Sequence, residues 1–275
     1  MGGVVERRTL ADPSLEEARG IVIHTYLRLA LAVPGTFADR RQNATVVRGP
    51  EGLGFCNFAI GLNFDDDAGP GLDALVAEAR SKRAFNIFAM TGDRPTDLRQ
   101  ELEARGLAVR QWLVTMHCAG TESVTAIPTV QAVQASVRRE VADFMVRQFF
   151  HQASEAVQGT LAQATAGSDL ELRYIEDRSG IAAAYMLAPG RTGFGLYNLC
   201  VRSDRRGQGL GASLAQQVAG QLAAKGMRTY LQCEESLVSW YEPLGFKPLG
   251  EVVALAFAGT KQDDILLHRS RSTDR

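Results

Sequence analysis

Cysteine is scarce and scattered. Cys56, Cys118, Cys200 and Cys233 form no C-x-x-C pair and lie in apolar, strand-like runs, the pattern of buried free thiols rather than of disulfides or a zinc site. Histidine is equally thin: His24, His117, His151 and His268 give no ligand spacing, so no metal is expected. Apolar runs such as residues 181–188 are far short of the ~20 residues that span a bilayer. The N-terminal Met-Gly-Gly-Val-Val-Glu-Arg-Arg has no signal-peptide apolar core, and the reading is a cytoplasmic protein without a membrane partner. An excess of one charge is also missing. Thirty basic residues against 31 acidic ones give a net charge of -1, with no dense Lys/Arg run. A general nucleic-acid or membrane-surface role therefore has little electrostatic support, and any anion site must be local.

What is present is a globular chain of 275 residues, 45% hydrophobic, long enough for one large or two medium units. A helical pattern runs over 14–31, with Ser14 and Glu17 spaced as a capping box and Pro34-Gly35 as the stop. Strands over 45–47 and 55–62, a helix to about 82, a strand over 84–90, a helix over 96–105 and a strand over 109–118 follow. The polar stretch 120–129 reads as a linker. Beyond it come helices over 130–150 and 154–165, strands over 170–176, 181–187 and 194–201, a helix over 209–225, a strand over 228–233, a helix over 236–244, and strands over 251–258 and 264–268. Both halves thus read β, α, β, α, β. Leu102-Glu-Ala-Arg-Gly106-Leu107 also answers Trp240-Tyr-Glu-Pro-Leu-Gly245-Phe246 before a strand, a weak internal repeat.

The sharpest signal is Leu199-Cys-Val-Arg-Ser-Asp-Arg-Arg-Gly-Gln-Gly-Leu-Gly-Ala-Ser-Leu214. An apolar strand ends, three arginines pass, and a glycine-rich turn opens a helix. Gly207, Gly209 and Gly211 remove side chains that would hold phosphate oxygens away, leaving backbone N–H groups and the positive end of the helix dipole to face a pyrophosphate. Arg206 adds a charged donor. Leu210, Leu214, Val218 and Leu222 make the apolar stripe that would fix the loop on a sheet. The competing reading is a glycine-rich turn with surface arginines, at a cost of about 1 kcal/mol for each glycine in the helix start.

No Gly-Lys-Ser/Thr follows the glycines, which excludes a Walker loop. Gly207-x-Gly209-x-x-Ala212 fits a Rossmann G-x-G-x-x-A, but five polar residues separate the strand end from Gly207 and only 41 residues follow Glu234, too few for a dinucleotide fold.

These residues resemble the GNAT acetyltransferases, whose signature Q/R-x-x-G-x-G/A stands here as Arg206-Gly-Gln-Gly209-Leu-Gly211 and whose Tyr-x-x-x-Gly-Phe segment stands as Tyr241-Glu-Pro-Leu-Gly245-Phe246. The resemblance covers roughly residues 170–268. It implies an α/β (α+β) fold and acetyl-CoA as cosubstrate. Amides of Gly207, Gln208, Gly209, Leu210, Gly211 and Ala212 would hold the pyrophosphate with Arg206, Leu199, Cys200 and Val201 would meet the pantetheine arm, and Tyr241 would lie near the sulfur. The implied chemistry is direct attack of an amine on the thioester, with Cys200 N–H or Val201 N–H polarising the carbonyl. Tyr241, with the pKa near 10 of a phenol, suits protonation of the leaving thiolate, unless it is only a half-buried aromatic. Glu234 is the candidate base, the alternative being a solvated strand-end carboxylate.

In the first half the matching place reads Asp65-Asp-Asp-Ala-Gly-Pro-Gly71. Its carboxylates repel phosphate and Pro70 removes an amide. The expectation is two GNAT-like units, each a mixed twisted sheet flanked by helices: residues 1–120 a degenerate copy shaping the acceptor pocket, 121–134 a linker, and 135–275 the catalytic unit. Tandem arrangements occur in the superfamily, the mycothiol synthases among them. An N-acyltransferase acting on a small-molecule or peptide amine leads. A non-catalytic acyl-CoA sensor and a Rossmann-type dinucleotide enzyme are the alternatives. Neither the acceptor nor the oligomeric state is legible.

Overall fold

The computed structural model describes residues 13–64, 69–82, 84–121 and 126–258. In chain order its elements are α1 (Pro13–Leu31), β1 (Phe37–Arg40), β2 (Thr45–Arg48), β3 (Phe58–Ile60), α2 (Gly69–Ser81), β4 (Asn86–Met90), α3 (Leu98–Ala104), β5 (Leu107–Cys118), β6 (Val130–Gln131), α4 (Ala135–Phe149), α5 (Glu155–Gly167), β7 (Glu171–Asp177), β8 (Gly180–Pro189), β9 (Gly193–Val201), α6 (Leu210–Ala223), β10 (Arg228–Cys233), α7 (Glu235–Tyr241) and β11 (Lys247–Phe257).

The mixed α/β architecture is the one expected, but both halves of the chain share one sheet of 11 strands, ordered β1-β2-β3-β4-β11-β5-β10-β9-β8-β7-β6. Each half supplies a parallel pair, β3 with β4 and β9 with β10. The antiparallel strand beside each pair comes from the other half: β11 lies against β4 and β5 against β10. These two long strands pair with each other at the centre of the sheet. The order of elements therefore repeats about the β5–β11 pair, with last strands exchanged. The apolar content of β11 suits its central place. Val252–Ala256 are buried, Val253 and Leu255 toward α2 and α3 and Val252 and Ala254 toward the opposite face, as two-faced burial of a central strand requires.

One face is covered by α1, α4 and α5. Val22 and Tyr26 of α1 pack with Phe58 and Phe88 of the first half, while Ala18 and Ile21 pack with Tyr197 and Tyr230 of the second. The other face carries α2 and α3 over the first half and α6 and α7 over the second. Helix α1 thus packs against strands of both halves.

Several boundaries differ from the expectation. Val130–Gln131 are extended and pair with β7, Val130 opposite Tyr174, so the linker ends in a sheet edge and α4 starts only at Ala135. Pro128 precedes them and biases the chain against a helix. Strand 55–62 divides into a 3-10 turn, Gly54–Cys56, and β3. The capping box is not formed. Ser14 lies inside α1, where its Oγ accepts from Arg228, and Glu17 Oε1 accepts from Thr192 N at 2.6 Å. Both side chains tie α1 to the second half instead of closing their own helix. The strand expected over 264–268 lies outside the described residues.

Candidate active site

The parallel pairing of β9 with β10 runs from Gly193–Arg228 to Leu196–Leu231 and stops there, although β9 continues to Val201 and β10 to Cys233. A β-bulge lies just past that point. Ala184 faces Cys200 but Met186 faces Tyr197, an extra residue on β9, and Asn198 within it has φ 50. Asparagine tolerates this left-handed conformation better than most residues. The bulge turns β9 away from β10 and the strands part.

The opening leads to a cavity of about 520 Å³, walled by Asn198, Leu199, Cys200 and Val201 on one side and Gln232, Cys233 and Glu234 on the other. Arg206, Gly211 and Tyr241 complete the side toward α6 and α7, and Gln148, His151 and Gln152 close the side toward α4. Sequence reasoning missed these three, and also Asn198 and Gln232. A lone Asn in the apolar run 194–201 was the one available signal.

Amide directions follow from pairing. Arg202 N donates to Ala182 O at 2.8 Å, and alternation along an antiparallel pair sends the Cys200 amide to the same neighbour. Leu199 and Val201 therefore turn their amides to the opening. Of the two amides expected to face a bound carbonyl, the register turns Val201 N–H to the opening and Cys200 N–H to β8. The Val201 carbonyl, on the same side, accepts from Arg206 Nε at 3.1 Å.

At the mouth, Gly207 and Gly209 have φ 71 and 77 and α6 begins at Leu210. Ser213 N to Gly209 O, 2.9 Å, is the first bond of the helix, so the amides of Leu210, Gly211 and Ala212 have no helical acceptor. A Cβ added at Gly207 or Gly209 would meet nothing within 4 Å. The glycines are there for their φ and for the open space before the amides. The three arginines separate by role. Arg202 donates to both oxygens of Asp177 and to Asp204, and Arg205 lies 3.5 Å from Asp177. Arg206 reaches back to Val201 and to Gln148 Oε1 at 2.8 Å. Gln208 fastens the loop through Nε2 to Asp204 O, 3.1 Å.

Tyr241, the last residue of α7, stacks edge-on against Trp240 and Phe246, with ring centroids at 4.7 and 5.6 Å. Burial, reinforced by the nearby Cys233 thiol, pushes its phenol well above the ordinary value, so it is a proton donor at any physiological pH. Glu234 is the N-cap residue of α7 and half-buried in the cavity wall. All four cysteines are free and buried. Burial raises the thiol of Cys200 well above the ordinary value and that of Cys233 to about 12, which leaves neither as a thiolate nucleophile.

Among its described residues the first half lacks such an opening. Past β3, Arg94 N donates to Leu62 O at 3.3 Å and Phe64 N to Arg94 O at 3.2 Å, so the segments after β3 and β4 stay bonded. At the start of α2, a Cβ on Gly71 would lie 2.7 Å from Phe64 and 3.2 Å from Asn43: side chains fill the place that is open before α6. Residues 65–68 of the acidic stretch lie outside the described residues.

A family model described as acetyltransferase (GNAT) domain matches residues 171–248, from β7 to the start of β11. Residues 171–248 of the C-terminal half are thus similar to a GNAT acetyltransferase domain. Solved structures share the fold at low identity. A GCN5-related N-acetyltransferase from Kribbella flavida superposes with TM-score 0.62 at 17% identity, covering 88% of this chain and 96% of its own. A tandem GNAT protein from the clavulanic acid biosynthesis pathway gives 0.55 at 14%, covering 87% and 94%. A GCN5-related N-acetyltransferase from Sphaerobacter thermophilus gives 0.51 at 14%, covering 79% and 81%. No curated protein matches the chain. Among the described residues no helix is long and apolar enough to cross a membrane, and no group of three or more His, Cys, Asp or Glu is placed to hold a metal ion.

Proposed function

We propose that this GNAT domain is an acetyl-CoA-dependent N-acyltransferase acting on a primary amine of a small molecule or peptide. The observation that carries the proposal is the parting of β9 from β10 directly behind the free amides of α6. One continuous channel then joins an anion cradle to an unpaired strand edge. Diphosphate would take the amides of residues 207–212, the pantetheine arm would pair with β9 at Leu199 and Val201, and the thioester would lie between Val201 N–H and Tyr241.

The amine attacks the thioester carbonyl carbon. Val201 N–H stabilises the oxyanion that forms, and Glu234, directly or through a water, takes the proton from the amine. Collapse expels the thiolate, which receives the Tyr241 proton. A direct transfer suits the site because the cavity's two thiols are held protonated. In the tandem reading, residues 1–120 are a degenerate GNAT-like unit that shapes the acceptor side, joined by 121–134 to the catalytic unit 135–275. The bonded segments after β3 and β4 and the filled place before α2 support it.

Isothermal titration with acetyl-CoA, CoA and NAD(P), followed by thiol release over a panel of amines, tests the proposal. CoA binding and acetyl-CoA-dependent amine turnover are expected. NAD(P) binding without CoA binding would overturn it, and CoA binding without turnover of any amine would reduce the protein to an acyl-CoA sensor.

A further inference from the structure

Gln232 is not used by the chemistry above, yet it stands at the floor of the cleft, one residue beyond the last β9–β10 pair. Its side chain projects to the α1 face. Tyr230, two residues earlier, packs with Ala18 and Ile21 on that face, whereas Leu231 and Cys233 pack with Leu214 of α6 on the other. Strand alternation places Gln232 and Glu234 on the same side.

The phenol of Tyr26, a buried residue of α1, donates to Gln232 Oε1 at 3.1 Å. That O–H is shut off from water and needs an acceptor, so the bond takes up the amide oxygen and leaves the nitrogen as the remaining donor. Nε2 is buried and has no hydrogen-bond partner. A buried donor without an acceptor costs about 1–3 kcal/mol, and the residue that carries this one belongs to the cavity wall.

We infer that Gln232 Nε2 is a specificity determinant for the acceptor, donating to an uncharged carbonyl oxygen near the nucleophilic nitrogen, with Tyr26 of the first half as its positioning residue. The inference rests on the acyl-transfer reading, in which the donor occupies the α6 side and the acceptor must approach from the α1 and α4 side. It selects amide-bearing amines over plain alkylamines, which offer no oxygen. It also selects them over free amino acids. The neighbour of Gln232 on its own strand face is Glu234, and the cavity's arginine, Arg206, is already bonded to Val201 O and Gln148.

The test is calorimetric titration of leucinamide, isopentylamine and leucine into the CoA-saturated protein and into the protein alone. Wild type is compared with Gln232→Glu, which keeps the acceptor for Tyr26 and loses the donor, with Gln232→Met and with Tyr26→Phe. Leucinamide should bind wild type about tenfold more tightly than either comparator, the size of one uncharged hydrogen bond. Both Gln232 variants should lose that preference and Tyr26→Phe should reduce it, with CoA affinity unchanged. Ratios between wild type and variant cancel the different basicities of the amines, and Gln232→Glu covers the case in which Gln232→Met fails to fold. Equal binding of the three amines by wild type, no detectable leucinamide binding, or a preference that survives both Gln232 variants would overturn the inference. Discrimination without any CoA binding would uphold the Gln232 contact and sink the acetyl-transfer reading instead.

Discussion

Arg202 and Asp177 form a two-point pair, Nη2 lying 3.0 and 2.8 Å from the two carboxylate oxygens. The same guanidinium reaches Asp204 and the carbonyls of Gly180 and Ile181. It clamps the end of β9 to the β7–β8 turn, and its neighbours hold the Asp177 carboxyl below the usual range. Arg202 thus supports the loop from behind while Arg206 faces the cleft. Arg202→Met should raise KM for acetyl-CoA about three- to tenfold with kcat little changed, since it loosens a uniform binding element. Steady-state kinetics at saturating amine would show it, and an equal loss in kcat would count against a supporting role.

Gly209 is the N-cap of α6 with φ 77. Gly209→Ala places an L-residue in a left-handed conformation at roughly 1–2 kcal/mol and puts a methyl group in the space before the helix amides. CoA affinity should fall at least about tenfold, more than the small loss of Tm accounts for. If the melting temperature falls and CoA affinity does not, the amides of this turn are not the diphosphate site.

The glycine-rich loop, the helix behind it and the place of Tyr241 on a short helix were legible, because each depends on local chemistry: glycine φ, a helix start, an aromatic on a short helix. The strand exchange was not legible. Whether β11 pairs beside β5 or beside β10 depends on contacts more than a hundred residues apart, and Val252–Ala256 would be apolar in either place. Gln232 and Gln148 escaped for a related reason. A single Gln in a strand or at a helix end carries no spacing, and only the bulge at Asn198 and the parting of the strands turn them into a cavity wall. Ser14 and Glu17 had the right spacing for a capping box, but tertiary partners, Arg228 and Thr192, outcompeted the local one.

One CoA should bind per chain. The place before α2 is filled by Phe64 and Asn43, and the chain beyond β3 stays bonded to Arg94. Phe64→Ala should leave the stoichiometry at one, because Pro70 still deletes an amide there. Titration calorimetry giving two sites in either protein would contradict the asymmetry of the halves.

Tyr241→Phe keeps the ring packing against Trp240 and Phe246 and removes the proton donor. A fall in kcat on the order of 10²-fold, with CoA affinity unchanged, is the expected size for a lost general acid. Because burial pushes the phenol upward, its deprotonation should leave no alkaline limb in the wild-type kcat profile up to about pH 9.5, below the ordinary phenol range. A wild-type limb near pH 8 that vanishes in Tyr241→Phe would mean that the phenol titrates early and that its burial is relieved in the working enzyme.

Asp93 offers a pH effect on stability that is separate from the site. It is buried after β4, accepts from Met90 N at 2.8 Å and pairs with Arg19 of α1. Burial outweighs these partners and raises its carboxyl from 3.8 to about 7. The folded chain therefore binds this proton more tightly than the unfolded one. The stabilisation is full below about pH 4, declines as pH rises, and is gone above about pH 7. Asparagine mimics the protonated acid at every pH. The stability of Asp93→Asn relative to wild type should accordingly rise between pH 4 and 7, with a slope of at most about 1.4 kcal/mol per unit, and level off beyond. Urea unfolding of both proteins across that range measures it, and taking the difference removes the titration of the other carboxylates. A difference that shrinks with rising pH would show instead that the ion pair with Arg19 governs this carboxyl.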